Sequence, residues 1–340
     1  KVTIFIFGQN EDARFTEDKI NFHLIKTKAF KFLGWFLQRK AIARYINNIV
    51  ISETIDAIEA PDWTGITAFM KLKCPVVIRC HGTDAYFCNL ENRPQKKKNF
   101  FLEKQALKAA DHIISVSRFN AEETKRLFQL KKDIEVIHNG INIDHFSPTE
   151  AYQKNTILYF GTIIRKKGVL ELPGILSKVI EIHPNIQFRV AGKDATDVFE
   201  RTSTITLMKK AMSKTLLQNT IWLGELDYKS MREEIANAHI IVLPSFAEAF
   251  PMTWLESMAM QKALVTSNIG WAKELMVHAK TGFMAHPENT EVFAEHILEF
   301  LRDEDLVLSL GKTARERIKK DFSIQDITTQ NIDFYTRIVS

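Results

Sequence analysis

The sequence predicts an α/β protein of two domains, each built around a mainly parallel sheet. With 340 residues, the chain is longer than a single hydrophobic core usually supports. Short runs rich in β-branched residues alternate with helical stretches almost throughout, a pattern typical of a parallel sheet covered by helices. The pattern stops at a polar, turn-rich stretch (residues 138–148) and then restarts, so the boundary between the domains is expected there.

In the first half, the residue pattern predicts strands at 2–7, 21–25, 57–59, 76–80, 112–116 and 135–137. Helices are expected between them, notably at 95–110 and 117–128. Ser117 is predicted to be the N-cap of the second of these helices, because its hydroxyl can accept a hydrogen bond from a free amide of the first turn.

In the second half, strands are predicted at 156–160, 187–191, 220–223, 240–243 and 264–267. Helices are predicted at 169–182, 228–237, 253–260, 290–301 and 306–320. A last helix at 324–339 is expected after a break at 321–323.

Composition argues against several other classes of protein. Hydrophobic residues make up 45% and charged residues 26%, as in ordinary globular proteins. No apolar run approaches the roughly 20 residues that a membrane-spanning helix needs. The cysteines, Cys74, Cys80 and Cys88, are odd in number and lack C-x-x-C spacing, so neither a disulfide framework nor a zinc site is expected. A reducing, cytoplasmic location is therefore predicted.

The net charge of +5 is concentrated in residues 1–150, which hold 23 Lys and Arg against 18 Asp and Glu. The densest part is a basic run, residues 19–44, interleaved with aromatic and other apolar side chains. Its cations are Lys19, Lys26, Lys28, Lys31, Arg39, Lys40 and Arg44, and its apolar members are Phe30, Phe32, Leu33, Trp35, Phe36 and Leu37. The run is typical of peripheral contact with an anionic membrane, or of one helix with a core face and a solvated face. Nucleic acid is not expected, because no nucleic-acid motif accompanies the run.

Ligands of open parallel sheets bind beyond the carboxyl ends of the strands, so the residues after each strand predict the site. Gly161, Gly192 and Gly224 each follow a predicted strand of the second half, and His81 follows one of the first. Glycine at these places lets a ligand approach the backbone closely. Neither G-x-G-x-x-G nor a P-loop motif occurs, so any phosphates must be held in another way.

One such way is the basic turn after Gly161, where Thr162 is followed by Arg165, Lys166 and Lys167. These cations lie between a predicted strand and a helix, and cations there neutralise phosphate charge while the helix start adds its dipole. A solvated basic turn would have the same sequence, so both interpretations stay open.

A sharper pattern is the pair of carboxylates Glu248 and Glu256, which flank the predicted start of a helix after a buried strand. Free amides near Phe250, Met252 and Thr253 would point at an anion above that start. Two carboxylates beside an anion site are explained by a ligand that also carries hydroxyl donors, which suggests sugars. Alternatively, Glu248 caps the helix and Glu256 is solvated.

Taken together, these motifs resemble the family 4 glycosyltransferases of the GT-B fold. The resemblance rests on the two glutamates, the Gly-and-Lys turn, the His-Gly-Thr-Asp stretch from His81 and the segment from Asn139 to Phe146. It implies two Rossmann-like domains that face each other across a cleft, with an N-terminal domain at 1–146, a donor-binding domain at 147–322 and a helix at 323–340 that crosses back. It also implies a retaining hexosyltransferase with a nucleotide-sugar donor as co-substrate, and neither cofactor nor metal.

The resemblance assigns a role to each matching residue. Glu248 would contact the donor sugar, Glu256 the ribose hydroxyls and Lys167 the diphosphate, and His81 would reach the reacting sugar from the other domain. The remaining residues expected to bind the donor are Gly161, Thr162, Arg165, Lys166, Gly192, Gly224, Phe250, Met252 and Thr253.

The chain departs from the family pattern in three ways. Thr162 stands where arginine is usual, so Arg165 or Lys166 is expected to substitute. Pro251 removes one amide donor near the helix start. The usual Gly-Gly loop is not found, and we expect a first β-α unit with that loop to precede Lys1.

The expected acceptor is a glycan or a lipid-linked glycan, in cell-surface polysaccharide or glycolipid synthesis, with the enzyme at the inner face of the membrane. Two other functions stay open at this point. The first is another enzyme of the same fold, such as a nucleotide-sugar epimerase or a phosphorylase. The second is a non-catalytic protein that binds nucleotide sugars or carbohydrates.

Overall fold

The computed structural model describes residues 1–26, 33–149 and 152–340. The first half contains two sheets. A three-stranded sheet has the order β1-β3-β2, with β1 parallel and β2 antiparallel to β3. Its strands are β1 (Val2–Gln9), β2 (Ala13–Glu17) and β3 (Ile20–Lys26). β2 was not predicted; it alternates between polar and apolar residues only weakly, and four of its five residues are exposed.

The second sheet of this half is four-stranded and parallel, in chain order. Its strands are β4 (Ile58–Pro61), β5 (Val76–Cys80), β6 (His112–Ser115) and β7 (Glu135–Val136). The accompanying helices are α1 (Gly34–Glu53), α2 (Asp84–Leu90), α3 (Lys97–Ala109) and α4 (Arg118–Phe128). Ser117 caps α4 as predicted, accepting a hydrogen bond from the amide of Asn120 at 3.1 Å.

A cavity of about 980 Å³ separates the two sheets of the first half. β1 and β4, which are not paired with each other, both line it, and so does the last helix of the chain. Its apolar wall includes Ile4, Phe5, Ile58, Ala60 and Ile332. The β-α unit expected to precede Lys1 stays a prediction.

The second half is built on one six-stranded parallel sheet with the order β10-β9-β8-β11-β12-β13. Its strands are β8 (Thr156–Phe160), β9 (Gln187–Ala191), β10 (Thr220–Gly224), β11 (Ile240–Leu243), β12 (Ala263–Ser267) and β13 (Phe283–Ala285). Every residue of β8 and β11 is buried, because helices cover both faces of the sheet and leave no polar side. The strand order reverses between β8 and β11, which makes their carboxyl ends the switch point of the sheet.

The helices of the second half lie between its strands and after the last strand. They are α5 (Leu172–Ile182), α6 (Thr204–Ala211), α7 (Lys214–Gln218), α8 (Tyr228–Asn237), α9 (Met252–Ala259), α10 (Ala272–Leu275), α11 (Thr290–Arg302) and α12 (Glu304–Asp321). The short elements α2, α6, α7, α10 and β13 were not predicted, because each has too few residues to establish a period.

The last helix, α13 (Ile324–Val339), packs against the first half of the chain. Ile327 and Phe334 form a cluster with Val77 and Ile114 of the four-stranded sheet. At the same surface, Arg79 donates to Asn331 at 2.6 Å.

Candidate active site

The loops after β8 and β11 meet at the switch point of the six-stranded sheet. Gly161 follows β8, and a loop from Pro244 to Pro251 leads from β11 into α9. A Cβ on Gly161 would lie 3.8 Å from a methyl carbon of Thr253, so the turn that follows β8 touches the start of α9. The residues predicted from the sequence as parts of a donor site are therefore neighbours in space.

Glu248 is a buried carboxylate with two partners in this loop. Its side chain lies 2.5 Å from the ammonium nitrogen of Lys167 and accepts a hydrogen bond of 2.9 Å from the hydroxyl of Ser245. It does not cap the helix: α9 begins after Pro251 without a side-chain cap. The alternative interpretation of Glu248 as a helix cap is thus wrong.

Glu256 lies one turn inside α9 and is partly buried. Burial raises the pKa of its carboxyl to about 7, opposed by the positive charge of Lys167. Within residues 1–26, 33–149 and 152–340, this carboxylate has no hydrogen-bond partner, and its side chain is only partly buried, so the alternative that it is solvated stays open. A partly buried carboxyl with a raised pKa and unused acceptors beside a helix start is also typical of a ligand site.

The amino end of α9 offers further donors. The main-chain amides of Phe250, Met252 and Thr253 have no acceptor in the part of the chain that the structure describes. Helix amides and the helix dipole together favour an anion at such a place. The loop before α9 therefore combines hydrogen-bond donors for an anion with the acceptors of Glu248 and Glu256.

The basic turn joins this loop through its backbone. The carbonyl of Lys166 accepts hydrogen bonds from the amides of Phe246 and Ala247, at 2.8 and 3.2 Å. Gly168, at φ +69°, packs so closely that a Cβ would collide with the carbonyl of Pro244. These contacts place the ammonium group of Lys167 at Glu248.

The three cations of the turn are used differently. Arg165 forms a bidentate pair with the buried carboxylate of Asp197, with hydrogen bonds of 2.7 and 3.0 Å. Lys166 lies 3.5 Å above the ring of Phe87 from the first half, and burial lowers the pKa of its ammonium group. Arg165 is thus occupied in this structure, and its part in donor binding, like that of Lys166, stays a prediction.

Three glycines set how closely the carboxyl ends of β8, β9 and β10 approach one another. Gly192, at φ +145°, lies against Gly161 so tightly that a Cβ would meet the Gly161 carbonyl, and its amide donates to Gly224 at 2.7 Å. The backbone carbonyl of Thr162 accepts a hydrogen bond from Tyr159, and its side chain is exposed. The glycines shape the floor of the site.

His81 follows β5 on the opposite side of the cleft. The buried carboxylate of Asp62 accepts hydrogen bonds from the amides of His81 and Gly82, at 3.1 and 3.0 Å. Burial raises the pKa of Asp62 to about 7. Burial, and then the charge of Arg79, lower the pKa of His81, so its imidazole is neutral at pH 7. Its ring nitrogens have no hydrogen-bond partner in the described ranges.

The two halves touch directly at the site. The hydroxyl of Tyr86, in α2, donates to the main-chain carbonyl of Glu248 at 2.5 Å. The side chain of Asn139 donates to the carbonyl of Phe250 at 3.3 Å, and the ring of His138 stacks on the ring of Phe250 at 4.7 Å. The segment between the halves therefore supports the loop that carries Glu248.

Sequence reasoning missed Asp62, Tyr86 and Ser245. Asp62 comes directly after β4, so the rule that found His81 would have found it. Ser245 comes two residues after the end of β11, so the same rule would have found it. Tyr86 carried no signal, because α2 was not predicted.

Within residues 1–26, 33–149 and 152–340, no group of three or more His, Cys, Asp and Glu side chains could hold a metal ion. Likewise, none of the helices in these ranges is both long and apolar enough to cross a membrane.

Two family models together match most of the chain. The model described as "Glycosyl transferases group 1" matches residues 140–317, and "Glycosyltransferase Family 4" matches residues 1–145. The glycogen synthase of Mycobacterium tuberculosis is 27% identical over 290 residues, covering 82% of this chain and 68% of that protein. The alpha-maltose-1-phosphate synthase of Mycolicibacterium smegmatis is 26% identical, covering 70% of this chain and 66% of that protein.

Solved structures share the architecture. Sucrose-phosphate synthase from Thermosynechococcus elongatus superposes with a TM-score of 0.81 at 16% identity, covering 99% of this chain and 88% of that one. The Anabaena protein HepE in complex with UDP-glucose gives 0.75 at 17% identity, covering 94% and 86%. The predicted fold class, two Rossmann-like domains of the GT-B type, is thereby confirmed.

Proposed function

The chain belongs to the group 1 glycosyl transferases, retaining hexosyltransferases that use nucleotide-sugar donors, and we propose that it moves a hexose from a nucleoside diphosphate to a glycan or lipid-linked glycan. The similar HepE structure contains UDP-glucose, and the similar glycogen synthase is named for a glucose polymer. Both support a hexose donor for this chain.

The observation that carries the proposal is the partly buried carboxyl of Glu256, which has no hydrogen-bond partner within the described residues and lies one turn behind free helix amides, near Lys167. An anion needs the amides and the cation, but it does not need a carboxylate. A carboxylate is instead suited to accept hydrogen bonds from the hydroxyl groups of a ligand. A nucleoside diphosphate sugar supplies both chemistries, with its diphosphate at the start of α9 and its ribose hydroxyls at Glu256.

Transfer would proceed with the leaving diphosphate stabilised by Lys167 and the amides of α9, which is an electrostatic task. The bond between the anomeric carbon and the phosphate oxygen breaks while an acceptor oxygen forms the new glycosidic bond on the same face. The departing phosphate oxygen takes the acceptor proton. Because the new bond forms on the face that the leaving group occupied, the anomeric configuration is retained. To bind the diphosphate, Lys167 turns from Glu248, and the freed carboxylate accepts from sugar hydroxyls. The neutral imidazole of His81 approaches the reacting sugar from the other domain.

The domain division is part of this proposal: 1–146 for the acceptor side, 147–322 for the donor side and 323–340 for the returning helix. The amide of Ile141 donates to Phe322 and that of Ile324 donates to Ile141, both at 3.0 Å. The two proposed boundaries thus lie side by side.

The acceptor side carries a surface that fits an anionic membrane, which supports a lipid-linked acceptor. We call it the aromatic-cationic surface: Trp35, Phe36, Phe69 and Phe101 in ring contact, with Leu33, Leu37, Lys40, Lys96, Lys97 and Lys98. Lys97 and Lys98 lie in the first turn of α3, which has no acidic residue to offset them. Of the predicted basic run, Lys28, Phe30, Lys31 and Phe32 lie outside the described residues.

Arg39 is not part of that surface. Its guanidinium donates to the carbonyls of Trp35, Thr64 and Gly65, so it ties α1 to the loop after β4.

A screen of nucleotide sugars tests the proposed function. The full chain is incubated with UDP-, GDP-, ADP- and TDP-hexoses, with and without oligosaccharide acceptors, and mass spectrometry follows nucleotide release and product mass. A new product one hexose heavier, formed with one nucleotide only, is expected. If no donor is bound or consumed, the proposed function is wrong.

A further inference from the structure

Trp63 is a large aromatic side chain that stays half exposed beside His81. It comes two residues after β4, and His81 comes directly after β5, the parallel neighbour of β4, so both residues lie at the same edge of the sheet. The two rings are 6.1 Å apart between centroids. The indole is 50% exposed, whereas Trp254 and Trp271 are fully buried in the core.

The loop that carries Trp63 is fixed on both sides of it. On one side, the carboxylate of Asp62 accepts from the amides of His81 and Gly82. On the other side, Arg39 donates to the carbonyls of Thr64 and Gly65, at 3.1 and 3.2 Å.

The backbone of this loop has two residues at positive φ, and one of them packs closely against a neighbouring helix. Thr64 has φ +61°, which is unfavourable for a residue with a side chain. Gly65, at φ +54°, packs so closely on the backbone of Leu102 and Glu103 that a Cβ would collide there. The loop therefore fixes the backbone that carries the exposed indole, and an aromatic side chain with only two rotatable bonds binds a partner with little loss of conformational entropy.

We propose that Trp63 is the stacking platform for a pyranose ring of the acceptor, held beside His81 on the acceptor side of the cleft. This inference rests on the proposed glycosyltransferase function and adds the binding mode of the second substrate. The C–H groups of one sugar face lie on the electron-rich face of the indole, a contact that has both apolar burial and weak hydrogen-bond character.

His81 supplies the polar half of the same subsite. Its imidazole is neutral, and its nitrogens have no partner in the described ranges, so it can accept a hydrogen bond from a sugar hydroxyl. Asp62 connects the aromatic and the polar part of this subsite. Its carboxylate accepts hydrogen bonds from the backbone at His81, and the next residue in the chain is Trp63. A sugar ring on Trp63 thus lies next to a hydrogen-bonding group of fixed position.

Fluorine NMR of the full chain tests the contact directly. Tryptophan is replaced by 5-fluorotryptophan, which labels the five Trp positions, and the Trp63 resonance is the one lost in Trp63→Phe. The labelled protein, loaded with the nucleoside diphosphate that it binds, is titrated with methyl α-glucoside, α-mannoside, α-galactoside and N-acetyl-α-glucosaminide. We expect the Trp63 resonance to shift with at least one glycoside, and the Trp254 and Trp271 resonances to stay in place.

Kinetics with matched variants complete the test. Trp63→Ala should raise the acceptor KM about ten-fold, and Trp63→Tyr should restore most of the affinity. Phe15→Ala is the control, because Phe15 is 46% exposed on the same half of the chain and stacks on Phe22 rather than lying beside His81.

The outcomes separate this inference from the proposed function. If the nucleotide binds and donor is hydrolysed, but no glycoside moves the Trp63 resonance, the platform is wrong and the function stands. An unchanged acceptor KM in Trp63→Ala has the same meaning. If no nucleotide binds at all, the proposed function itself is wrong.

Discussion

The hydroxyl of Tyr86 donates a hydrogen bond of 2.5 Å to the main-chain carbonyl of Glu248, across the cleft between the two halves. Tyr86 is fully buried, and Thr83, the N-cap of its helix, accepts from the Tyr86 amide at 3.0 Å. One side chain of the acceptor side therefore sets the backbone position of the residue that pairs with Lys167. Closure of the cleft and the geometry of the donor loop are linked through this bond.

Tyr86→Phe removes that hydrogen bond and keeps the packing of the ring. We expect turnover to fall about three- to ten-fold, as for the loss of one neutral hydrogen bond that positions a reacting group. Tyr152→Phe is the control, because it deletes a hydroxyl that donates a hydrogen bond to Glu304 at the surface. Equal turnover in the two variants, with equal melting temperatures, would contradict a positioning role for Tyr86.

Lys167→Ala should weaken the binding of nucleoside diphosphates by roughly 1.5–3 kcal/mol, because a charge-assisted bond to the diphosphate is lost. Titration calorimetry with UDP, GDP and ADP measures the change. The matched control is Lys178→Ala, which removes an exposed ion pair with Glu291 from the same domain. Unchanged affinity for every nucleotide that binds the wild type would remove Lys167 from the site.

Glu248→Gln should separate turnover from nucleotide binding. If the carboxylate contacts the sugar mainly in the transition state, its loss costs about 10²–10³ in kcat, whereas affinity for the nucleoside diphosphate stays nearly the same. Ser245→Ala removes the second partner of this carboxylate and should have a smaller effect. A Glu248→Gln enzyme with wild-type kcat would exclude the assigned role.

Glu256→Gln should bind ribonucleotides more weakly and yet fold more stably above about pH 8. Burial raises the pKa of Glu256 to about 7, from an ordinary value of 4.5. The folded state therefore binds more protons than the unfolded state between these pH values, and stability falls as pH rises through them. Ionised Glu256 then costs up to about 3 kcal/mol, which the neutral glutamine avoids.

Urea unfolding of both proteins, without ligand, tests that stability effect. The difference should be small at about pH 4, below the unfolded pKa, and approach its full value at about pH 8. Asp62 has a similarly raised pKa, but it is present in both proteins and cancels in the comparison. A difference that does not depend on pH would refute the buried, ionised Glu256, and unaltered ribonucleotide affinity would refute its contact with ribose.

Sequence patterns predicted β8 and β11 of the second half well, because these strands are buried and form nearly continuous apolar runs between turn residues. They also predicted which loops meet, since parallel strands end at one edge. They could not predict that Arg165 pairs with Asp197, which is 32 residues away on another loop. Nor could they predict the hydrogen bond between Tyr86 and Glu248, because a contact between domains leaves no periodic pattern in the sequence.

The last prediction is that the protein binds anionic vesicles reversibly through its aromatic-cationic surface. Lys40 and Lys98 lie over the rings of Phe36 and Trp35, and Phe101 is exposed beside them. Each cation near an anionic leaflet contributes about 1 kcal/mol, and salt screens this attraction within a Debye length. Changing Lys96, Lys97 and Lys98 to Glu should therefore abolish co-sedimentation with phosphatidylserine vesicles at low salt. The control changes Lys209, Lys210 and Lys214, exposed on the donor side, and should bind like the wild type. Binding that does not distinguish phosphatidylserine from phosphatidylcholine at low salt would instead make these aromatic rings part of the packing of the domain alone.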